Sequence, residues 1–274
     1  MEMLQSWLVV PFTYAFMVRA LTVSVLVGIM CPLLGTYVVT RDLGFMSDAL
    51  AHAVMPGVVA AVLAGLHPLW GSVPMAAAVA LLLGWLVRRT GLSADTTIGI
   101  LFAGLFALGV MVMSMVRHVR INLEDLLLGQ VLGVSRMDVA VTALLTVAVA
   151  AILYGLHSRL LFVSFDPLGA KVAGLSAERL DYVFLVLLAV VIVTALQAVG
   201  IILVVSLLIT PAAAALLVAR RVEGAMALGA GFGVAAAVVG LYASYHLNVA
   251  SGPAMALVAT AIFAVASAVA AARR

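Results

Sequence analysis

Nine long runs of apolar side chains leave this chain little choice of fold. They occupy 12–39, 47–66, 69–87, 98–116, 139–162, 182–196, 200–218, 225–245 and 254–272. About 20 apolar residues in a helix cross the hydrocarbon core of a bilayer, where every backbone N–H and C=O must be satisfied within the protein. Most runs reach that length, and they are continuous rather than alternating, so they read as helices. The expected fold is an all-α, polytopic membrane bundle of about eight or nine spanning helices, forming one transmembrane domain over 1–274. The link between the first two runs is short and polar, so their division is the least fixed.

Composition supports the same solvent. A soluble domain carries roughly a quarter charged residues. Here 66% of residues are hydrophobic and 9% charged, with 14 Lys and Arg against 11 Asp and Glu. So few charges cannot cover a water-facing surface, and lipid must contact the rest. The pairs Arg88/Arg89, Arg220/Arg221 and Arg273/Arg274 end runs, as cations do on the cytoplasmic side. Alternation then puts Arg41 and Lys171 on that side and the N-terminus outside. Arg117, Arg120 and Arg136 fall in an outer loop, beside Glu124, Asp125 and Asp138. No basic patch is interleaved with aromatic residues, so nucleic acid is excluded as a partner. The opening residues lack the basic segment and small-residue cleavage site of a signal peptide. No polar stretch is long enough for a nucleotide-hydrolysing domain, and no Gly-x-Ser-x-Gly, His-Glu-x-x-His or P-loop pattern occurs. An enzymatic role is not expected. Cys31, the single cysteine, reads as a small helix filler.

Ionisable groups inside spanning segments are costly and mark function. Asp48 and His52 lie four apart at the start of the second run, on one face of a helix. Their oxygen and nitrogen donors suit a divalent transition metal, with the imidazole neutral when it coordinates. Spacing alone equally allows a local ion pair at a helix end. Pro56 frees a backbone carbonyl near Met55 or His52. Pro56 and Pro211 hold corresponding places in the first and second sets of helices, which fits a path between inverted repeats, although prolines are common in membrane helices in any case. Gln197, Thr210 and Pro211 are candidate path-lining residues, although helix packing or back-bonding explains the first two as well. Asp95 reads as the cap of the fourth helix, and His246 as a solvated residue of an outer turn. Between the fifth and sixth runs, Asp166 caps a short helix with Pro167 at its first position and Gly174 as its stop. This helix, about 166–176, offers Leu168, Ala170, Lys171 and Val172 across the cytoplasmic face, where it would fit a groove on a soluble partner; the residues alone equally allow a surface helix with no partner.

Four stretches carry a resemblance: Gly44 to Gly57 around Asp48-Ala49-Leu50-Ala51-His52; Asp95-Thr96-Thr97-Ile98-Gly99; the Asp166–Gly174 loop; and Leu207-Leu208-Ile209-Thr210-Pro211-Ala212 with Ser251-Gly252-Pro253 beyond it. In order and spacing they resemble the membrane permease of ATP-binding-cassette importers for zinc, manganese and iron(II). The resemblance implies that Asp48 and His52 are the membrane metal ligands and that the Asp166–Gly174 helix docks on the ATPase. It further implies a homodimer, separate cytosolic ATPase subunits that use the ATP, and an extracytoplasmic metal-binding protein. The metal would be cargo rather than a resident cofactor, moved into the cytoplasm across a bacterial inner membrane. Ala51 departs from the family's frequent Ser without touching either ligand. A secondary transporter using Asp48 and His52 as a proton relay is the alternative that the residues alone permit.

Overall fold

The computed structural model describes residues 13–115 and 133–273. Eleven helices are formed among them: α1 (Ala15–Thr40), α2 (Gly44–Ala53), α3 (Met55–Leu63), α4 (Leu69–Thr90), α5 (Ala94–Met115), α6 (Arg136–Phe165), α7 (Pro167–Val172), α8 (Ala177–Val199), α9 (Ile201–Val218), α10 (Val222–Leu247) and α11 (Ser251–Ala272). Nine helical spans among the described residues are long and apolar enough to cross a membrane, with α2 and α3 together making the second. They match the nine runs in order. Arg117, Arg120, Glu124 and Asp125 lie outside the described residues.

The helices extend beyond the apolar runs because polar residues cap them. Ser93, rather than Asp95, caps α5: its Oγ accepts the Thr96 N–H at 3.1 Å, and Asp95 sits in the first turn. The hydroxyl is two residues further upstream, within reach of the N–H three positions on. At α6, Ser135 and Asp138 cap each other: Asp138 Oδ2 accepts the Ser135 N–H at 2.9 Å and Ser135 Oγ accepts the Asp138 N–H at 3.2 Å.

The two prolines behave differently. The second span breaks at Val54, with Pro56 in the first turn of α3, where a missing N–H is harmless. Pro211 lies inside an unbroken α9. The paired interruption expected from sequence therefore occurs only at Pro56.

The chain divides into two compact units. One holds α1 as far as Thr36, α6 as far as Ala150 and the chain from Ala195; the other runs from Tyr37 through α5 and from Ala151 to Thr194. In the first, α9, α10 and α11 pack on one another; in the second, α2, α3, α4 and α5 do so. Each unit thus contains one group of three consecutive spans.

Within a bilayer, helices gain little from burying apolar surface and pack instead by close backbone approach. In the first unit a Cβ on Gly28 would stand 2.8 Å from the Gly233 carbonyl oxygen, and one on Gly240 would overlap the backbone of Met255. In the second, α3 meets α4 at Gly57 and Gly71, where a Cβ on either would collide with the other's carbonyl oxygen. Gly71→Val is expected to destabilise the protein by about 1–3 kcal/mol. A lowered thermal midpoint in detergent checks this; an unchanged midpoint contradicts it.

Candidate functional site

The helix α2 is sorted into two faces. Met46, Ser47, Ala49, Leu50, Ala51 and Ala53 are buried. Asp48 and His52 share the opposite face, with side chains 47% and 22% exposed. Asp48 Oδ1 stands 3.9 Å from His52 Nε2. That is too long for a hydrogen bond, so the pair does not close on itself. Two donors on one tetrahedral ion stand about 3.4 Å apart when each bond is about 2.1 Å. The two groups would have to approach by about 0.5 Å to share one divalent ion.

Aromatic packing fixes the imidazole. The His52 ring centroid lies 5.7 Å from that of Phe102 and 5.5 Å from that of Phe106, both on α5. The two phenylalanines stack at 5.8 Å and form a wall on one side of the ring. Where α5 crosses the α2–α3 break, Gly109 makes room, since a Cβ there would meet the Met55 Cβ at 2.9 Å. The His52 carbonyl, expected to be freed by Pro56, accepts the Val54 N–H instead. No third His, Cys, Asp or Glu joins the pair among the described residues. Asp48 and His52 are thus two candidate donors, both partly exposed.

A second feature of the same unit is the α7 loop. Asp166 Oδ1 accepts the Gly169 N–H at 2.7 Å, capping α7 as its sequence requires. Gly174, at φ +79°, ends it; Leu175 N–H reaches the Ala170 carbonyl at 2.9 Å and Gly174 N–H reaches Lys171 at 3.1 Å, a Schellman stop. Ala170 is fully buried, whereas Leu168 and Val172 are 75% and 87% exposed. Two large apolar side chains thus project from a helix pinned at both ends.

Beside α7 lies a cluster of charges. Arg41, in the link between α1 and α2, donates from Nη1 to Asp181 Oδ1 at 3.0 Å and from Nε to Ser164 Oγ at 2.8 Å. Arg88, in the last turn of α4, reaches Glu178 at 3.3 Å and Asp181 at 3.4 Å. Burial pulls the Arg41 guanidinium below its usual range, and Asp181 opposes that shift. The groups border a cleft of about 380 Å³ with Pro167, Lys171 and Leu185.

Residues 13–270 match the ABC 3 transport family. The chain belongs to that family. It is 39% identical over 254 residues to the manganese transport system membrane protein MntC of Halalkalibacterium halodurans, covering 93% of this chain and 87% of that protein. It is 34% identical over 261 residues to a probable iron transport system membrane protein of Haemophilus influenzae, covering 95% and 96% of the two chains. Among solved structures, PsaBC from Streptococcus pneumoniae in complex with Fab superposes with a TM-score of 0.84 at 32% identity, covering 96% of this chain and 95% of that one. The chain is thus a multi-pass membrane permease of an ABC transporter.

In this ABC 3 family permease, Asp48, His52 and the α7 residues Asp166, Pro167, Leu168, Ala170, Lys171 and Gly174 all fall in one unit. Gln197, in the last turn of α8, and Thr210 and Pro211, in α9, fall in the other. His246 is not the solvated loop residue expected. It lies half-buried in the last turn of α10, its ring 5.3 Å from Tyr242 and 5.2 Å from Tyr245. A cavity of about 560 Å³ opens there, lined also by Phe16, Ser244 and Asn248. Sequence reading missed Phe102, Phe106 and Asp181. The first two stand four apart on an apolar helix, a spacing that core packing produces as readily as a site.

Proposed function

We propose that this chain forms the membrane path of an ATP-binding-cassette importer for a divalent transition metal, manganese, zinc or iron(II), and that Asp48 and His52 contact the ion in passage. The observation that carries this reading is the pair itself: an oxygen and a nitrogen donor 3.9 Å apart on the partly exposed face of α2, beyond hydrogen-bond distance of each other. Family membership in the ABC 3 transport group supports ATP-driven import, and the manganese and iron named for the relatives support the class of cargo. The secondary-transport alternative gains no such support.

Two donors per chain bind weakly, which suits an ion that must leave. A second copy of the chain would add two more and complete the shell around one ion. The chain acts as one permease domain in the bacterial inner membrane, C-terminus inside. ATP is hydrolysed by separate cytosolic subunits that dock on α7, and an extracytoplasmic metal-binding protein delivers the ion from the other side. The permease itself holds no resident cofactor. Elemental analysis of cells with and without this chain tests the reading. Lower manganese, zinc or iron content in its absence is expected at limiting metal; equal content of all three contradicts it.

A further inference from the structure

We propose that Arg41 is a positioning residue that carries movement of the α7 loop to the helix bearing Asp48 and His52. The proposal rests on the reading of α7 as the ATPase-docking helix.

Arg41 is the point where three elements meet. Its guanidinium donates to Ser164 Oγ at 2.8 Å and to the Leu160 carbonyl at 3.3 Å, both in the last turns of α6. It donates to Asp181 at 3.0 Å and lies over the Phe184 ring with its Cζ 4.7 Å from the centroid, both in the first turns of α8. α6 and α8 are the helices that enter and leave α7, through Asp166 on one side and the turn at residues 173–176 on the other. One planar side chain therefore ties together both ends of the loop on which a soluble subunit would push.

The other side of Arg41 is equally stiff. Only Arg41, Asp42 and Leu43 separate α1 from α2. Asp42 takes the left-handed conformation at φ +55°, which a short polar side chain tolerates. Leu43 N–H closes the corner on the Val38 carbonyl at 2.9 Å, and Arg41 N–H bonds the Tyr37 carbonyl at 3.1 Å. A corner hydrogen-bonded in this way turns as a body rather than as a hinge, and α2 begins on its far side. The Arg41 side chain is 11% exposed. A buried cation stripped of its partner is strongly unfavourable, so the guanidinium follows α6 and α8 when they shift instead of releasing them. Displacement of α7 then reaches the metal-bearing face of α2 through one residue.

A merely structural Arg41 would lower hydrolysis and transport together; a coupling Arg41 separates them. The test uses the full permease assembled with its ATPase subunit in proteoliposomes, with Mn²⁺ or Zn²⁺ as the transported probe. Arg41→Lys keeps the charge and loses the planar fork that spans Ser164, Leu160 and Asp181. ATP hydrolysis is expected to persist while ions moved per ATP fall by about tenfold, within the usual span of coupling energies between sites. Ser164→Ala removes a single arm, and a smaller fall in the same ratio is expected, which keeps the test decisive if the lysine variant assembles poorly. An unchanged ratio in both variants overturns the proposal, as does an equal fall in hydrolysis and transport. The two readings fail on different measurements: the docking reading fails when Leu168→Glu leaves the ATPase subunit bound, the Arg41 reading when ions moved per ATP are unchanged.

Discussion

Replacing His52 with alanine is expected to reduce metal uptake at limiting concentration by at least about tenfold while the protein still inserts and assembles. The reasoning is local. Asp48 and His52 are the two donors on the open face of α2, and no third His, Cys, Asp or Glu stands with them among the described residues. Losing one of two donors halves what the chain offers an ion. Even changes in groups that merely support metal ligands cost about 10–100-fold in affinity, so removal of a ligand sets a lower bound in that range. Stability is spared because His52 is not a core residue: its ring leans on Phe102 and Phe106 from one side only. Uptake of radioactive or elementally traced metal into cells measures the effect. Wild-type uptake by the alanine variant at limiting metal contradicts the assignment.

Leu168→Glu is expected to abolish co-purification of the permease with its ATPase subunit. Leu168 and Val172 are three-quarters or more exposed on a helix held by the Asp166 cap, the buried Ala170 and the Gly174 stop. Rigid apolar side chains presented from a pinned element are what a protein groove buries, and a central contact of this kind costs about 2 kcal/mol or more when lost. That corresponds to a loss of roughly 30-fold in affinity, and the buried carboxylate adds its own desolvation cost. The cap and stop are untouched, so α7 itself survives. Pull-down through a tag on the permease gives the result; undiminished recovery of the ATPase subunit would place docking elsewhere.

Much of this architecture was legible in the residues because the bilayer imposes a single rule. A run of about 20 apolar residues has to be a helix there, so the nine spans among the described residues could be counted from hydropathy. The α7 loop was legible for a different reason: Asp-Pro at its start and Gly at its end are local capping signals that act within a few residues. What was hidden depended on partners distant in the chain. Arg41 reads as one more cation at a helix end; its contacts with Ser164 and Asp181 span 123 and 140 residues. Asp95 looked like a cap because a carboxylate and a hydroxyl compete for that role, and Ser93 won by standing at the right distance. Pro56 and Pro211 are equivalent as letters. Only the first meets a helix boundary, whereas α9 absorbs the second without a break.

At the Asp48–His52 pair, spacing left a choice between a local ion pair and a metal ligand set. The separation of 3.9 Å argues against a closed hydrogen-bonded pair, and Asp48 is half-exposed. The metal content of the purified assembly, loaded with Mn²⁺ or Zn²⁺ and washed, puts this to the most direct test. One ion per two chains is expected, and its loss in the His52→Ala variant. One ion per chain, or an ion retained when His52 is gone, would contradict a site shared between two Asp48–His52 pairs.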